Sequence, residues 1–333
     1  MKSILMGGGK LFAVYAPDTL ATLSAIAGLD PTPVTREEIL AEPEKYRDVE
    51  VIFSTWGMPK FTEEEIRACL PSLRAVFYAA GSVQAFARPH LAAGVRIFSA
   101  WASNAVPVAE YTVAQILLAN KGFYQSCRAM SQGDHKGAKA HFHRMPGNYG
   151  ARVGIIGAGM IGKMVLRRLR DYRLETVVCD PFLSEEQAAE LGAEKVSLEE
   201  LFETCAVISN HVANLPATVG MLHYGLFSRM SETATLINAG RGAQVVEADL
   251  IRALEECPGR TAVLDVTYPE PPEVGSAFYR LPNVFLTPHI AGSAGDEVAR
   301  MGEQMAGAFA DWQKDGSRLL DCEVTEKMLE TMA

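Results

Sequence analysis

The stretch "ARVGIIGAGMIGKMVLRRLRDYRLETVVCDPF", residues 151–182, decides the reading of the chain. An apolar run, "RVGII", leads directly into Gly157, Gly159 and Gly162. A pattern of helical period follows, then a second apolar run that ends on Asp180. Strand, glycine turn and helix, with an acidic residue about twenty positions later, is the context a dinucleotide site requires. Gly157 suits the tight turn, Gly159 lets the backbone approach a pyrophosphate, and Gly162 lets helix and strand pack closely. The phosphates would meet the free N–H groups of a helix that Met160 and Ile161 open. Asp180 would accept hydrogen bonds from the adenosine ribose and repel a 2′-phosphate. Pro181 and Phe182 follow it, with no arginine to reverse that preference. The expectation is NAD rather than NADP.

Outward from this stretch, β-type runs recur at Val153–Ile156, Thr176–Cys179, Ala206–Asn210, Thr235–Ile237, Ala262–Val266 and Val284–Leu286. Segments of helical period separate them. Runs apolar on both faces, alternating with helices, predict a parallel sheet in an α/β domain. Before residue 101 the rhythm is looser. "VEVIFST", "LRAVFYAA" and "VRIFSA" read as strands. Thr35 and Thr62, each with glutamate three positions on, read as helix starts. A long helical pattern runs from Val106 to about Arg128, and "SQGDHKGAKAHFH" breaks it. A last helix spans about Gly295 to Lys314. "GGGK" at Gly7–Lys10 lacks the spacing of a phosphate loop and reads as a strand–turn feature.

The bulk properties fit this class. A chain of 333 residues suggests two domains. A net charge of −9 argues against nucleic acid or an anionic membrane as partner. No apolar run is long enough to span a bilayer. The start has one lysine before a short apolar patch that "GGGK" interrupts, unlike a signal peptide. Six scattered cysteines, without a C-x-x-C pair, suggest reduced thiols and a cytoplasmic protein. "HFH", His141–His143, lacks the further ligands a metal site needs.

Three ionisable residues follow predicted strands of the second domain: Arg241 after "TLINAG", Glu270 after "AVLDV" and His289 after "NVFL". Doubly wound sheets bind ligands at such strand ends. Oxidation of a 2-hydroxy acid needs this set. An arginine holds the carboxylate in a planar fork. A histidine takes the hydroxyl proton, and a carboxylate fixes the tautomer of that histidine. Asp265, ending its strand, could accept a hydrogen bond from a nicotinamide carboxamide. Singly, each has an ordinary reading as a surface arginine, a solvated glutamate or a packed histidine; the joint pattern favours chemistry.

From about Ala79 to Ser293 the chain resembles the D-2-hydroxyacid dehydrogenase family. The likeness rests on "VGIIGAGMIGK", "VISNHVANLPATVGML", "LINAGRGAQVVEADLIRAL", "AVLDVTYPEPP" and "LPNVFLTPHIAG", in the family's order. It implies that Arg241, Glu270 and His289 are catalytic. It implies two Rossmann-like or flavodoxin-like doubly wound parallel-sheet domains with a cleft between them, and a homodimer. The substrate domain would be 1–101 with 292–333, and the NAD domain 102–291. The likeness also places His211, Ala239 and Gly240 beside the cofactor. It places the turn Ala80, Gly81 and Ser82 beside the substrate carboxylate. Where the family usually has an aspartate after that glycine, this chain has Gln84.

The substrate is read from "FSTWGMPKFT". Phosphoglycerate enzymes carry an arginine about where Trp56 stands. The expectation is therefore a small 2-hydroxy or 2-keto acid without a phosphate, its side chain near Trp56 and Met58. Formate dehydrogenases have glutamine at the position of Glu270. A second class, an NAD(H)-responsive sensor or corepressor of the same fold, is the alternative.

Overall fold

Strands form here because β-branched and aromatic residues cluster in short runs that are buried on both faces. The computed structural model describes residues 1–330. In chain order the strands are β1 Lys2–Met6, β2 Leu29–Pro33, β3 Val49–Ser54, β4 Ala75–Tyr78, β5 Arg96–Ser99, β6 Tyr149–Ile156 and β7 Arg173–Cys179. They continue as β8 Glu194–Lys195, β9 Val207–Asn210, β10 Thr235–Asn238, β11 Thr261–Leu264, β12 Val284–Leu286 and β13 Glu323–Val324. The chain divides into two compact units, Met1–Ala105 with Ser293 onward, and Val106–Gly292.

The first unit holds one sheet in the order β13-β5-β4-β3-β1-β2, parallel except for β13. Its five parallel strands have the flavodoxin-like order 2-1-3-4-5. The strand order reverses at β1. One face packs an aromatic stack in which the rings of Phe77 and Phe98 lie 4.6 Å apart. Phe309 and Trp312, from helix Ala299–Lys314, meet Phe77 edge-on at 5.5 and 5.8 Å. The capping boxes expected at Thr35 and Thr62 are formed, with Glu38 and Glu65 closing them.

The second unit holds a parallel sheet in the order β12-β11-β10-β9-β6-β7-β8. Relabelled from β6, this is the order 3-2-1-4-5-6 of a dinucleotide-binding fold, extended by one strand. β6 is central because its residues Val153, Ile155 and Ile156 are buried under helices on both faces.

Three expectations change. The helical run expected from Val106 begins at Trp101 and stops at Ala119, with Pro107 inside it. Gly122, in the left-handed region at φ 63°, separates it from helix Phe123–Ser131. "SQGDHKGAKAHFH" breaks the pattern only at its start, where helix Phe123–Ser131 ends and Gly133 sits at φ 78°; Asp134 then caps a further helix, His135–Arg144, by accepting from the Gly137 N–H at 2.8 Å. Met58 lies in the core of the first unit. Among the described residues, no helix is long and apolar enough to cross a membrane.

Candidate active site

β12 ends at Leu286, and the chain turns sharply through Thr287 and Pro288. His289 follows at φ 56°, the one non-glycine residue with positive φ among the described residues. Such a conformation is rare for a side-chain-bearing residue and marks a backbone held by its surroundings. The holder is Asp265, buried just past the end of β11. One of its carboxylate oxygens accepts from the Thr287 hydroxyl at 2.6 Å and the Ile290 N–H at 2.8 Å. The other accepts from the Ala291 N–H at 2.9 Å. The His289 N–H donates to the Asp265 carbonyl at 3.0 Å. The carboxylate expected to meet a nicotinamide carboxamide is thus engaged by the chain itself.

That turn points the His289 ring at Glu270. Nδ1 lies 2.8 Å from Glu270 Oε1, and both side chains are about half exposed. An ionised carboxylate can only accept, so Nδ1 is the donor of this bond and Nε2 is the ring nitrogen left for a substrate.

Arg241 emerges after β10. Asn238 Oδ1 accepts from the Gly240 N–H, and its amide donates to the Arg241 carbonyl at 3.0 Å. Asn210 donates to Asn238 at 3.1 Å and to Gln244 at 2.5 Å, and Gln244 donates to the Val212 carbonyl at 2.7 Å. All three amides are buried. The network fixes the turn that presents the arginine, and sequence reading missed it. Among the described residues Arg241 forms no ion pair; its one side-chain hydrogen bond goes to the Gly240 carbonyl at 2.8 Å. Burial pushes its pKa below the usual guanidinium value, and the Glu270 charge pulls the other way. Part-burial of a cation with no ion pair carries a desolvation cost. Its donors are available to an anionic ligand.

The glycine turn lies after β6. The helix Met160–Leu169 starts at Gly159 without a side-chain cap, so its first N–H groups are free. The space above Gly159 is open, whereas a Cβ on Gly162 would lie 2.0 Å from the Gly157 carbonyl oxygen. Asp180 accepts from the Ala158 N–H at 2.6 Å and the Phe182 N–H at 2.8 Å, tying the adjacent strand to the turn. Free N–H groups, an open approach and an oriented carboxylate fit a dinucleotide. The Gly162→Ala variant must displace the turn. It is expected to weaken NADH about tenfold to hundredfold, the scale of an overpacked core site. Titration by protein fluorescence quenching checks this.

Beside the turn, His211 is buried, and burial pushes its pKa down to about 4, so the ring is neutral. Nε2 meets the Ser209 hydroxyl at 2.9 Å, while Nδ1 has no partner among the described residues. Ala239 is buried and Met160 exposed.

In the first unit, Ser99 donates to the Ala80 and Gly81 carbonyls at 2.9 and 2.7 Å, leaving Ser82 exposed. Gln84 donates to the Leu329 carbonyl at 2.9 Å, which anchors the turn to the chain's end. Trp56 is partly buried against both cores of this unit. The second unit brings Arg241, Glu270, His289, Asp265 and the glycine turn to the strand ends of one sheet. The first unit does the same for Trp56 and the Ala80–Ser82 turn.

Residues 113–291 match the family described as "D-isomer specific 2-hydroxyacid dehydrogenase, NAD binding domain". The D-3-phosphoglycerate dehydrogenase of Archaeoglobus fulgidus is 29% identical over 81% of this chain and 50% of its own length. That of Haemophilus influenzae is 32% identical over 78% and 63%, and that of Homo sapiens 31% over 67% and 41%. The chain spans about half the length of the curated relatives it matches. Among solved structures, the D-mandelate dehydrogenase of Rhodotorula graminis superposes with TM-score 0.82 at 22% identity, covering 97% of each chain. A glyoxylate reductase from Paecilomyces thermophila superposes with TM-score 0.76 at 24% identity, covering 98% of this chain and 99% of that one. At these identities the structures establish the fold.

Proposed function

The chain belongs to the D-isomer specific 2-hydroxyacid dehydrogenases, with an NAD-binding domain at residues 113–291, and we propose that it reversibly reduces a small, non-phosphorylated 2-keto acid. The observation that carries this reading is the His289–Glu270 pair together with the part-buried guanidinium of Arg241, which has no ion pair among the described residues. Arg241 receives the substrate carboxylate in a two-pronged, charge-assisted contact and polarises the neighbouring oxygen. In oxidation, Nε2 of His289 takes the hydroxyl proton; in reduction, the protonated ring returns it to the keto oxygen. Glu270 holds the ring by Nδ1 and balances its charge while it is protonated. When bound, the nicotinamide supplies or accepts the hydride at the substrate's second carbon. Asp265 and Thr287 keep His289 in place throughout.

The preference for NAD over NADP rests on Asp180. Its carboxylate faces the ribose position and would repel a 2′-phosphate. Asp180→Asn removes the charge and keeps an acceptor for Ala158. The ratio of KM for NADPH to KM for NADH is expected to fall about tenfold or more, the effect of relieving one like-charge contact. Equal ratios in both proteins would contradict the assignment.

A homodimer is proposed on the exposed apolar residues Phe123, Met130, Phe142 and Tyr149 of the second unit, which a second copy would cover. Six free cysteines suit a reducing, cytoplasmic compartment.

The function is tested by following NADH oxidation with glyoxylate, hydroxypyruvate, pyruvate and branched 2-keto acids, and with 3-phosphohydroxypyruvate. Turnover is expected with at least one non-phosphorylated acid and not with the phosphorylated one. Tight NADH binding without turnover of any acid would favour the sensor alternative.

A further inference from the structure

His289 keeps a left-handed backbone, which a side-chain-bearing residue holds only while its surroundings over-determine it. Asp265 supplies part of that hold, and a residue from a distant helix stands behind Asp265. Tyr111, on helix Trp101–Ala119, brings its hydroxyl to 3.1 Å from the Thr287 hydroxyl. The direction of this bond follows from its neighbour. Thr287 Oγ1 donates its one proton to Asp265 Oδ1 at 2.6 Å, so toward Tyr111 it can only accept. The chain runs one way, from the phenol to Thr287 and from Thr287 to the carboxylate. At 2.6 Å the second link has the length of a charge-assisted bond. A hydroxyl that accepts a hydrogen bond donates a stronger one, so the phenol tightens the contact beneath it. Burial raises the pKa of Tyr111, and the Asp265 charge adds to the rise, so the phenol keeps the proton it donates.

The ring of Tyr111 works on the same turn. It packs against the small cluster of Val108, Ala239 and Ala291. Ala291 is the residue whose N–H meets Asp265 Oδ2 at 2.9 Å. Tyr111 therefore holds the turn on both sides of His289, by its hydroxyl at Thr287 and by its ring at the cluster that contains Ala291. All of these residues lie within the unit Val106–Gly292. Tyr124, on the next helix, gives a contrast. Its ring lies 5.0 Å from that of Phe285 on β12, but its buried hydroxyl has no partner among the described residues.

We propose that Tyr111 is a positioning residue for the reaction: its hydroxyl, acting through Thr287 and Asp265, fixes the turn that aims the His289 ring. This rests on the dehydrogenase reading above and deepens it. The phenol acts on the proton carrier, so it governs the rate of the chemical step and leaves the binding of acid and cofactor to other groups.

The test uses the full chain, saturating NADH and the best 2-keto acid of the panel above, at a temperature where melting curves show each variant folded. Tyr111→Phe keeps the ring and removes the hydroxyl. Its kcat is expected to fall about three- to tenfold, the worth of one hydrogen bond read as a rate. KM for the keto acid and Kd for NADH stay within about twofold, since neither ligand loses a contact. Thr287→Val breaks the middle link and lowers kcat further, whereas Thr287→Ser keeps the hydroxyl and most of the rate. Adding Tyr111→Phe to Thr287→Val costs nothing more, because the phenol then has no route to Asp265. Tyr124→Phe, which removes the hydroxyl without a partner, leaves kcat unchanged. An unchanged kcat in Tyr111→Phe, a loss carried by KM instead, losses that multiply in the double variant, or an equal loss in Tyr124→Phe overturns the proposal. The comparison of Tyr111→Phe with Tyr124→Phe decides it even where Thr287→Val fails to fold. An unchanged Tyr111→Phe beside an active wild type overturns this proposal alone. Wild-type turnover of no 2-keto acid overturns the dehydrogenase reading, and this proposal with it.

Discussion

Arg241→Ala is expected to lower kcat/KM for the best 2-keto acid by about 10³- to 10⁵-fold, the loss that follows removal of a charge clamp on the reacting group. NADH affinity is expected to stay within a few-fold. The asymmetry comes from where the arginine stands. Its one side-chain hydrogen bond among the described residues goes to the Gly240 carbonyl, and the turn that carries it is held by Asn210, Asn238 and Gln244. Those amides do not depend on the guanidinium, so the turn persists in the variant. Stability separates this from unfolding. Arg241 is a part-buried cation with no ion pair among the described residues, and deleting it removes some desolvation cost. The melting temperature is therefore expected to hold or rise while turnover vanishes. Arg241→Lys keeps the charge and loses the planar fork, so it should recover only part of the rate. Near-full activity in Arg241→Ala would remove this residue from the chemistry.

The second large effect belongs to His289. Its left-handed backbone limits the choice of substitution, because most side chains are strained there. Asparagine tolerates that region, so His289→Asn removes the proton carrier with little backbone penalty. A loss in kcat of about 10²- to 10⁴-fold is expected, the range of general acid–base catalysis. KM is expected to change much less. Glu270→Gln keeps a side chain at hydrogen-bond distance from Nδ1 but carries no charge to balance the ring, so its loss should be smaller. The double variant His289→Asn/Glu270→Gln should be little worse than His289→Asn alone, since the hydrogen bond of Glu270 is to the histidine. Additive losses would assign Glu270 a separate role.

The second unit was legible in the sequence because its signals are local. "VGIIGAGMIG" places strand, turn and helix within a dozen residues. Arg241 and Glu270 each follow a run whose burial on both faces marks an interior parallel strand, and His289 follows the apolar edge strand β12. What escaped notice depends on contacts distant in the chain. β2, "LDPTP", carries two prolines and exposes four of its five residues; only an edge strand tolerates that. β13 is two residues that pair antiparallel with β5 from far along the chain. Pro107 concealed the first turn of helix Trp101–Ala119, since a proline there reads as a start. The amides of Asn210, Asn238 and Gln244 look like ordinary polar residues until the sheet brings their strand ends together. Asp265 was read toward a ligand; that its oxygens also hold the His289 turn is visible only in the fold.

The central claim is that this chain moves hydride between a nicotinamide and the second carbon of a 2-keto acid, with His289 handling the proton. It is tested most directly by reducing the best 2-keto acid with NADH deuterated at both C4 positions, in ordinary water. The product is then examined by mass spectrometry and chiral chromatography. The account predicts one deuterium at the second carbon of the D-2-hydroxy acid and none at oxygen after exchange. Product with protium at that carbon, or of L configuration, would contradict it.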